Sequence, residues 1–357
     1  MKVRSMSMQK KVVIVCEKFY EETIWCKQIL GGLLKELKKR RISCEQRESA
    51  AEAEAEEMVC ILGVTGEWMQ EMIRQCNDSG STPIVLSSRN LSFSGICYHG
   101  ICPNLRNTAE LLQQELYRVG REKIALYGAN HMSDMDAERT ELFSRYLKSG
   151  EDVFHNTGNL ENCFRMFLPK AAAYDAVLCI NGYTAISLVK KLHKEAPELL
   201  EKLVILSFEE VLRHSKYNQW IHLADLNLEA YGAAALAVMD MSSQVRETAE
   251  VTLRVKGSVC EIPVKEQWSE TAQTEDAFQG LDPELLSMAK MEQLLRDADD
   301  MDHHIIALLL DGATYSEIAD SSYMTEGNVK YRVKKYMTIC DCKTKKELLA
   351  LLQEYLR

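Results

Sequence analysis

Between Tyr315 and Tyr336 the chain reads YSEIADSSYMTEGNVKYRVKKY, and the eight positions 328–335 hold Asn328, Lys330, Tyr331, Arg332, Lys334 and Lys335. Side chains of these types at this density suit a polyanion. Lysine neutralises a phosphate as a point charge, whereas arginine and asparagine can bond a guanine or adenine edge through two atoms. The surroundings sharpen the contrast. The 357-residue chain has a formal net charge of −10; residues 281–320 hold ten acidic and two basic groups, and residues 322–346 hold seven basic and two acidic ones. Positive charge is therefore concentrated on one segment, and the acidic remainder repels a polyanion elsewhere.

That segment needs a scaffold, and its spacing predicts one. Thr325 is placed to cap a helix after the turn SSYM, and Val329, Val333 and Tyr336 fall at i, i+4 and i+7 as a core-facing stripe. YSEIAD predicts a short helix before the turn. ELLSMAKMEQLLRDA and TKKELLALLQEYL predict flanking helices, which gives a small all-α domain over 284–357. A short helix, a turn and a helix with a polar face over an apolar stripe suit a helix-turn-helix entering the major groove. A lysine face on an ordinary helical bundle is the plainer alternative.

The same residues carry a resemblance. Glu317, Ile318 and Ala319, then Thr325, Val329 and Lys330, resemble the LuxR-type helix-turn-helix, whose signature runs Glu-Ile-Ala and then Ser-x-x-Thr-Val-Lys; KTKKELLALL resembles its closing dimer helix. Asn328 departs from the usual threonine, Asp341 from a glycine and His304 from a glutamate. The resemblance implies a phosphate contact by Lys330 and phosphate or base contacts shared among Asn328, Tyr331, Arg332, Lys334 and Lys335. Arg332 and Asn328 are then the better candidates for specificity. It also implies a homodimer that sets two reading helices about one DNA turn apart.

Ahead of this domain, from Lys11 to about Val264, short apolar runs alternate with long amphipathic stretches. KVVIVC precedes EETIWCKQILGGLLKELKKR, MVCILGV precedes EWMQEMIRQC, EKIALYG precedes DMDAERTELFSRYLKSG and YDAVLCI precedes YTAISLVKKLHKE. Repeated βα units of this kind predict a doubly wound α/β fold with parallel sheets. Their division into two blocks predicts two lobes with a cleft between them. The expected bounds are about 11–103 with 223–241 for the first lobe and about 104–222 with 250–264 for the second. Residues 266–283, polar and ending in proline, read as a linker.

In open parallel sheets the residues just after each strand line the ligand site. Here these are Phe19, Tyr20, Thr65, Trp68, Ser87, Ser88 and Arg89 in the first block, and Asn130, Ser133, Asn181, Tyr183 and Glu209 in the second. Rings that stack on a sugar face, with hydroxyl, amide and guanidinium groups for its hydroxyls, suit a small neutral polyol. Loop or helix-cap duty is the alternative for each position. GVTG at 63–66 lacks the glycine spacing of a nucleotide or phosphate loop.

The ordered set ELYRVGREKIALYG, AERTELFSRYL, YDAVLCINGYTAISLVKKL and KLVILSFEEV resembles the effector domain of the lac-repressor family, which has the two-lobed periplasmic-binding-protein type I fold. The resemblance covers about residues 11–264. It implies a sugar or similar small metabolite as effector and places Arg139 where that family has a sugar-contacting arginine. Gly182 stands where the family usually has a ligand-binding aspartate, and Leu142 replaces a glycine.

Composition excludes other classes. No secretory signal and no apolar run of membrane-spanning length is present, so a cytoplasmic protein with no membrane partner is expected. Several of the twelve cysteines sit in apolar strand-like runs, as free buried thiols do. No metal-ligand spacing, paired carboxylates or Ser-His-Asp order is visible, so neither catalytic residues, metal nor cofactor are expected. A signalling protein whose tail docks on a protein partner is the competing class. A response regulator shares the tail motif but would open with an acidic pair after its first strand, where Cys16-Glu17 stands.

Overall fold

The computed structural model describes residues 11–21, 23–55, 57–88, 92–130, 133–147, 150–208, 211–212, 215–241, 251–262 and 283–357. The expected linker, Arg89 and Glu209 lie outside the described residues, apart from Pro283, which begins a helix. The chain divides into two compact units, residues 1–111 with 225–258 and residues 112–224 with 259–357.

The first unit is built on strands β1 (Val12–Cys16), β2 (Cys44–Arg47), β3 (Met58–Leu62), β4 (Thr82–Leu86), β5 (His99–Pro103) and β11 (Thr252–Val255), in the order β11-β5-β4-β3-β1-β2. Every pairing is parallel. β1 and β3 are buried throughout, as strands covered on both faces are, and this is why they read as unbroken apolar runs. Helices α1 (Ile24–Arg40), α2 (Gly66–Ser79), α3 (Leu105–Arg118, which continues into the second unit) and α8 (Tyr231–Asp240) complete the layer architecture. α1 approaches the 229–232 backbone closely. A Cβ on Gly32 would fall 2.1 Å from the Glu229 carbonyl oxygen, and one on Gly232 would fall 2.3 Å from the Gly32 carbonyl oxygen.

In the second unit the order is β12-β10-β9-β8-β6-β7, with β6 (Ile124–Ala129), β7 (Val153–His155), β8 (Ala176–Cys179), β9 (Val204–Ser207), β10 (Ile221–Asp225) and β12 (Ser258–Val259). Its helices are α4 (Asp134–Ser144), α5 (Leu160–Phe167), α6 (Gly182–Glu195) and α7 (Pro197–Lys202). The stretch 250–264, expected in the second lobe, divides instead: β11 pairs with β5 of the first sheet, and only β12 joins the second. Conversely β10, at the start of the segment expected to complete the first lobe, pairs with β9 of the second sheet. Both are short edge or near-edge strands with partly exposed faces, and such strands carry little apolar periodicity to betray their sheet.

The C-terminal helical domain consists of α9 (Pro283–Asp297), α10 (Asp300–Leu310), α11 (Tyr315–Ser321), α12 (Glu326–Ile339) and α13 (Lys345–Leu356). Side-chain caps define four of these helices. Asp299 with Asp302 and Thr314 with Glu317 form capping boxes on α10 and α11, while Thr325 and Thr344 cap α12 and α13. All twelve cysteines are free and eight are buried; burial pushes the Cys60 thiol up to about 12, so it packs as a small hydrophobe. Among the described residues no helix is long and apolar enough to cross a membrane.

Candidate functional site

At the carboxyl edge of the first sheet, Cys16, Leu62 and Leu86 lie in register on neighbouring strands, so Glu17, Gly63 and Ser87 follow as adjacent positions. The Glu17 carboxylate accepts from the Val64 and Thr65 N–H groups at 2.8 and 3.0 Å, which ties the turn after β3 to the end of β1. Gly63 has no room for a side chain, since a Cβ would sit 2.5 Å from the Trp68 ring and 2.9 Å from the Glu17 carboxylate. Trp68 thus lies over this edge. Phe19 is 82 % exposed and stacks edge-on to Tyr20 at 5.0 Å, whereas Ser87 and Ser88 are buried. Thr65 begins α2 as an exposed N-cap residue whose side chain makes no capping bond.

At the corresponding edge of the second sheet, Arg139 is 1 % exposed. Its Nη1 donates to the Ile180 carbonyl at 2.9 Å, and its guanidinium sits 5.2 Å from the centre of the Phe208 ring. A solvated charge on a helix surface is therefore excluded for Arg139. Burying a guanidinium requires partners, and the carbonyl before Asn181 and an aromatic face supply them. Asn181 caps α6 by accepting from the Thr184 N–H at 3.0 Å, and Ser133 caps α4. Tyr183 in the first turn of α6 and Asn130 after β6 are partly exposed. Phe208 was not among the expected residues, although it directly follows Ser207 at the end of β9.

In the C-terminal domain, α11, the turn 322–325 and α12 follow one another as the spacing predicts. Val329, Val333 and Tyr336 are buried; Thr325, Asn328, Lys330, Tyr331, Lys334 and Lys335 are exposed, Tyr331 at 73 %. Tyr323 in the turn has φ +52° and is 98 % exposed, an unusual backbone for a bulky residue. The exposed cations differ in their engagement. Lys330 bonds Glu326 one turn earlier at 2.8 Å and stands 5.9 Å from the Tyr315 ring centre. Lys334 and Lys335 make no ion pair among the described residues.

Arg332 points the other way. Its Nη1 lies 3.1 Å from both Asp299 carboxylate oxygens and also bonds Asp302, which is 3 % exposed and accepts from the Tyr336 hydroxyl as well. Hydrogen bonds to Asp302 and Asp299 raise the Arg332 pKa, and burial followed by the Asp302 bond raises that of the Tyr336 phenol.

The helical domain also meets α6 within the second unit. Lys190 bonds Glu284 of α9 at 2.6 Å and Glu354 of α13 at 2.7 Å, and its ammonium lies 5.1 Å from the Tyr355 ring centre. Lys191 bonds the same Glu284 at 2.5 Å and Ser187 at 3.2 Å. Burial alone would raise the Glu284 carboxyl, but the bonds from Lys190 and Lys191 outweigh it and hold the group below its usual range. Asn181 and Tyr183 thus begin the helix whose middle holds this ion cluster. Among the described residues no group of three or more His, Cys, Asp or Glu side chains could hold a metal ion.

No protein-family model and no curated protein sequence matches the chain. Solved structures do. A complex of the transcriptional regulator CelR with cellobiose aligns over 72 % of this chain and 84 % of its own, at a TM-score of 0.52 and 12 % identity. The lac repressor dimer bound to operator and an anti-inducer aligns over 73 % and 95 %, at 0.52 and 11 %. A LacI-type transcription regulator from Bifidobacterium animalis subsp. lactis aligns over 72 % and 100 %, at 0.51 and 12 %. The chain therefore has the α/β fold of LacI-type regulators and periplasmic binding proteins, accompanied by a C-terminal helical domain.

Proposed function

We propose that the protein is a ligand-responsive, one-component transcription regulator. In this reading residues 11–264 sense a sugar or similar small polyol, and the domain at 284–357 reads duplex DNA through a LuxR-type helix-turn-helix, as a homodimer. The observation that carries the proposal is the α12 surface, where Val329, Val333 and Tyr336 are buried while Asn328, Tyr331, Lys334 and Lys335 stand exposed on an otherwise acidic chain. Unpaired lysines gain from counterion release at a phosphate backbone, which no acidic face of this protein can do. Thr325, at the N-terminus of α12, and Lys330 join them as phosphate contacts, Lys330 by exchanging Glu326 for a phosphate.

The sensing half of the proposal rests on fold likeness to sugar-responsive regulators and on the side chains at the two strand edges. Phe19, Tyr20 and Trp68 offer rings, Thr65, Ser87 and Ser88 offer hydroxyls, and Asn130, Arg139, Asn181 and Tyr183 offer polar groups on the second sheet. Arg139 and Asn181 also hold the edge itself together. They would therefore act on a ligand partly by fixing the loop that meets it.

The test is anisotropy of the purified protein on fragments of its own genome across a salt series. Capture of a few promoters with a steep salt slope, reduced by Lys334→Ala with Lys335→Ala, supports the regulator. Uniform weak binding, indifferent to salt and to the substitutions, would instead make the helical domain a protein-docking module.

A further inference from the structure

We infer that Arg332 is a positioning residue of the DNA-reading domain that makes no base contact, and that base discrimination falls to Asn328 and Tyr331, with Lys335 beside them on the same face as a phosphate contact. This rests on the DNA-reading proposal and reverses the expectation that Arg332 reads a guanine.

The geometry separates the two roles. On α12, Arg332 precedes Tyr336 by four residues, so its side chain shares the flank of the buried stripe with the Tyr336 phenol. Both converge on Asp302, a carboxylate 3 % exposed that is also part of the cap of α10. Asn328, Tyr331 and Lys335 stand at i, i+3 and i+7, on the side away from Val329 and Val333, and all three are exposed. Gly327 adjoins them. Among the described residues a Cβ there would meet the Thr325 hydroxyl alone, at 3.7 Å, an ordinary contact, so the glycine leaves backbone open at the front of the helix.

Magnitudes decide between the roles. Withdrawing a guanidinium from a buried carboxylate costs about a hundredfold to several thousandfold in an equilibrium constant, because a desolvated charge is left behind. A bidentate base contact returns about fivefold to 150-fold. Arg332 is therefore held by Asp302 when the domain meets DNA, and the ion pair fixes the angle of α12 on α10.

The experiment is sequence selection from a randomised duplex pool, together with thermal unfolding and a salt series, on the full chain. Arg332→Met alone should unfold several degrees earlier, whereas Asp302→Asn with Arg332→Met should regain much of that loss by removing the stranded charge. The double variant should select the same sequence as the parent with an unchanged salt slope. Arg332→Lys, which keeps a cation but not the fork, should lose stability and keep the selected sequence. Asn328→Ala and Tyr331→Ala should keep stability and change or blur that sequence. A folded double variant or Arg332→Lys variant that loses preference at a base position, while Asn328→Ala and Tyr331→Ala do not, overturns the assignment. A parent chain that binds no duplex at all refutes the DNA-reading proposal itself, and the assignment with it.

Discussion

The tetrapeptides Val189-Lys190-Lys191-Leu192 on α6 and Val333-Lys334-Lys335-Tyr336 on α12 are nearly the same sequence in the same secondary structure, and their lysines meet opposite fates. In both, the valine and the final apolar residue are buried. On α6 the two ammonium groups are drawn into a half-buried cluster with Glu284, Glu354, Ser187 and Tyr355. On α12 they stand in solvent. The difference lies in what packs alongside: α9 and α13 bring Glu284 and Glu354 to the lysines of α6, whereas among the described residues no carboxylate pairs with Lys334 or Lys335 on α12. A lysine pair is thus a structural fastener when an acidic surface is docked on it and an available charge when none is.

The largest expected effect comes from breaking the fastener. Glu284→Ala leaves Lys190 and Lys191 without their shared carboxylate and should destabilise the protein by about 3 kcal/mol in denaturant unfolding, given a desolvated pair that loses one partner. The pH profile sharpens this. Because the folded-state Glu284 carboxyl titrates below its ordinary value, its contribution is fully present above the usual glutamate range near about pH 4.3 and is lost as pH falls through the lowered value. Glu284→Gln should remove that part of the acid limb, which thermal unfolding between about pH 3 and 6 would read.

Next in size, Lys334→Ala with Lys335→Ala should leave unfolding within about 0.5 kcal/mol of the parent. The same pair should lower the log–log salt slope of DNA binding by about 2, as two lost phosphate contacts do. Lys190→Met with Lys191→Met should do the reverse, costing stability and sparing the slope. If the two double variants behave alike, the comparison fails. Smaller still, Thr325→Ala removes the side-chain cap on the Asn328 N–H and should cost about 1 kcal/mol.

The smallest effect has the opposite sign. Tyr323 holds φ +52° with its ring in solvent, so Tyr323→Gly relieves a left-handed strain without removing packing and should stabilise the domain by about 0.5–1 kcal/mol in thermal unfolding. Asp341 occupies the same kind of backbone at φ +54° after α12, in the place where the resemblance puts a glycine. Lys290 bonds its carboxylate at 2.9 Å.

Legibility followed locality. The apolar runs that became β1, β3, β6, β8 and β9 announced themselves because strands buried on both faces need continuous hydrophobicity. β2, with the sequence CEQR and mostly exposed side chains, had no such signal, and β11 resembled second-lobe sequence until its pairing with β5 placed it. In the helical domain the stripe Val329, Val333 and Tyr336 and the Thr325 cap were visible from spacing alone. Glu17, which ties two loops of the first sheet together, and Phe208 beneath Arg139 were not. Each takes its role from a neighbour on another strand or helix, and periodicity carries no trace of that.

Two kinds of information are therefore separable in this protein. The sequence by itself determined the βα repetition, the helical tail with its Thr325 cap, and the confinement of positive charge to one segment, since each depends on residues within a few turns of one another. Only the tertiary structure decided which charges are spent. Lys190 finds Glu354 across 164 positions, Lys191 finds Glu284 across 93, and Arg332 finds Asp302 across 30. The physical reason is that helix and strand formation answer to neighbouring side chains, whereas a charge answers to whatever the folded chain brings within about 4 Å, where burial strengthens the attraction and makes its loss costly.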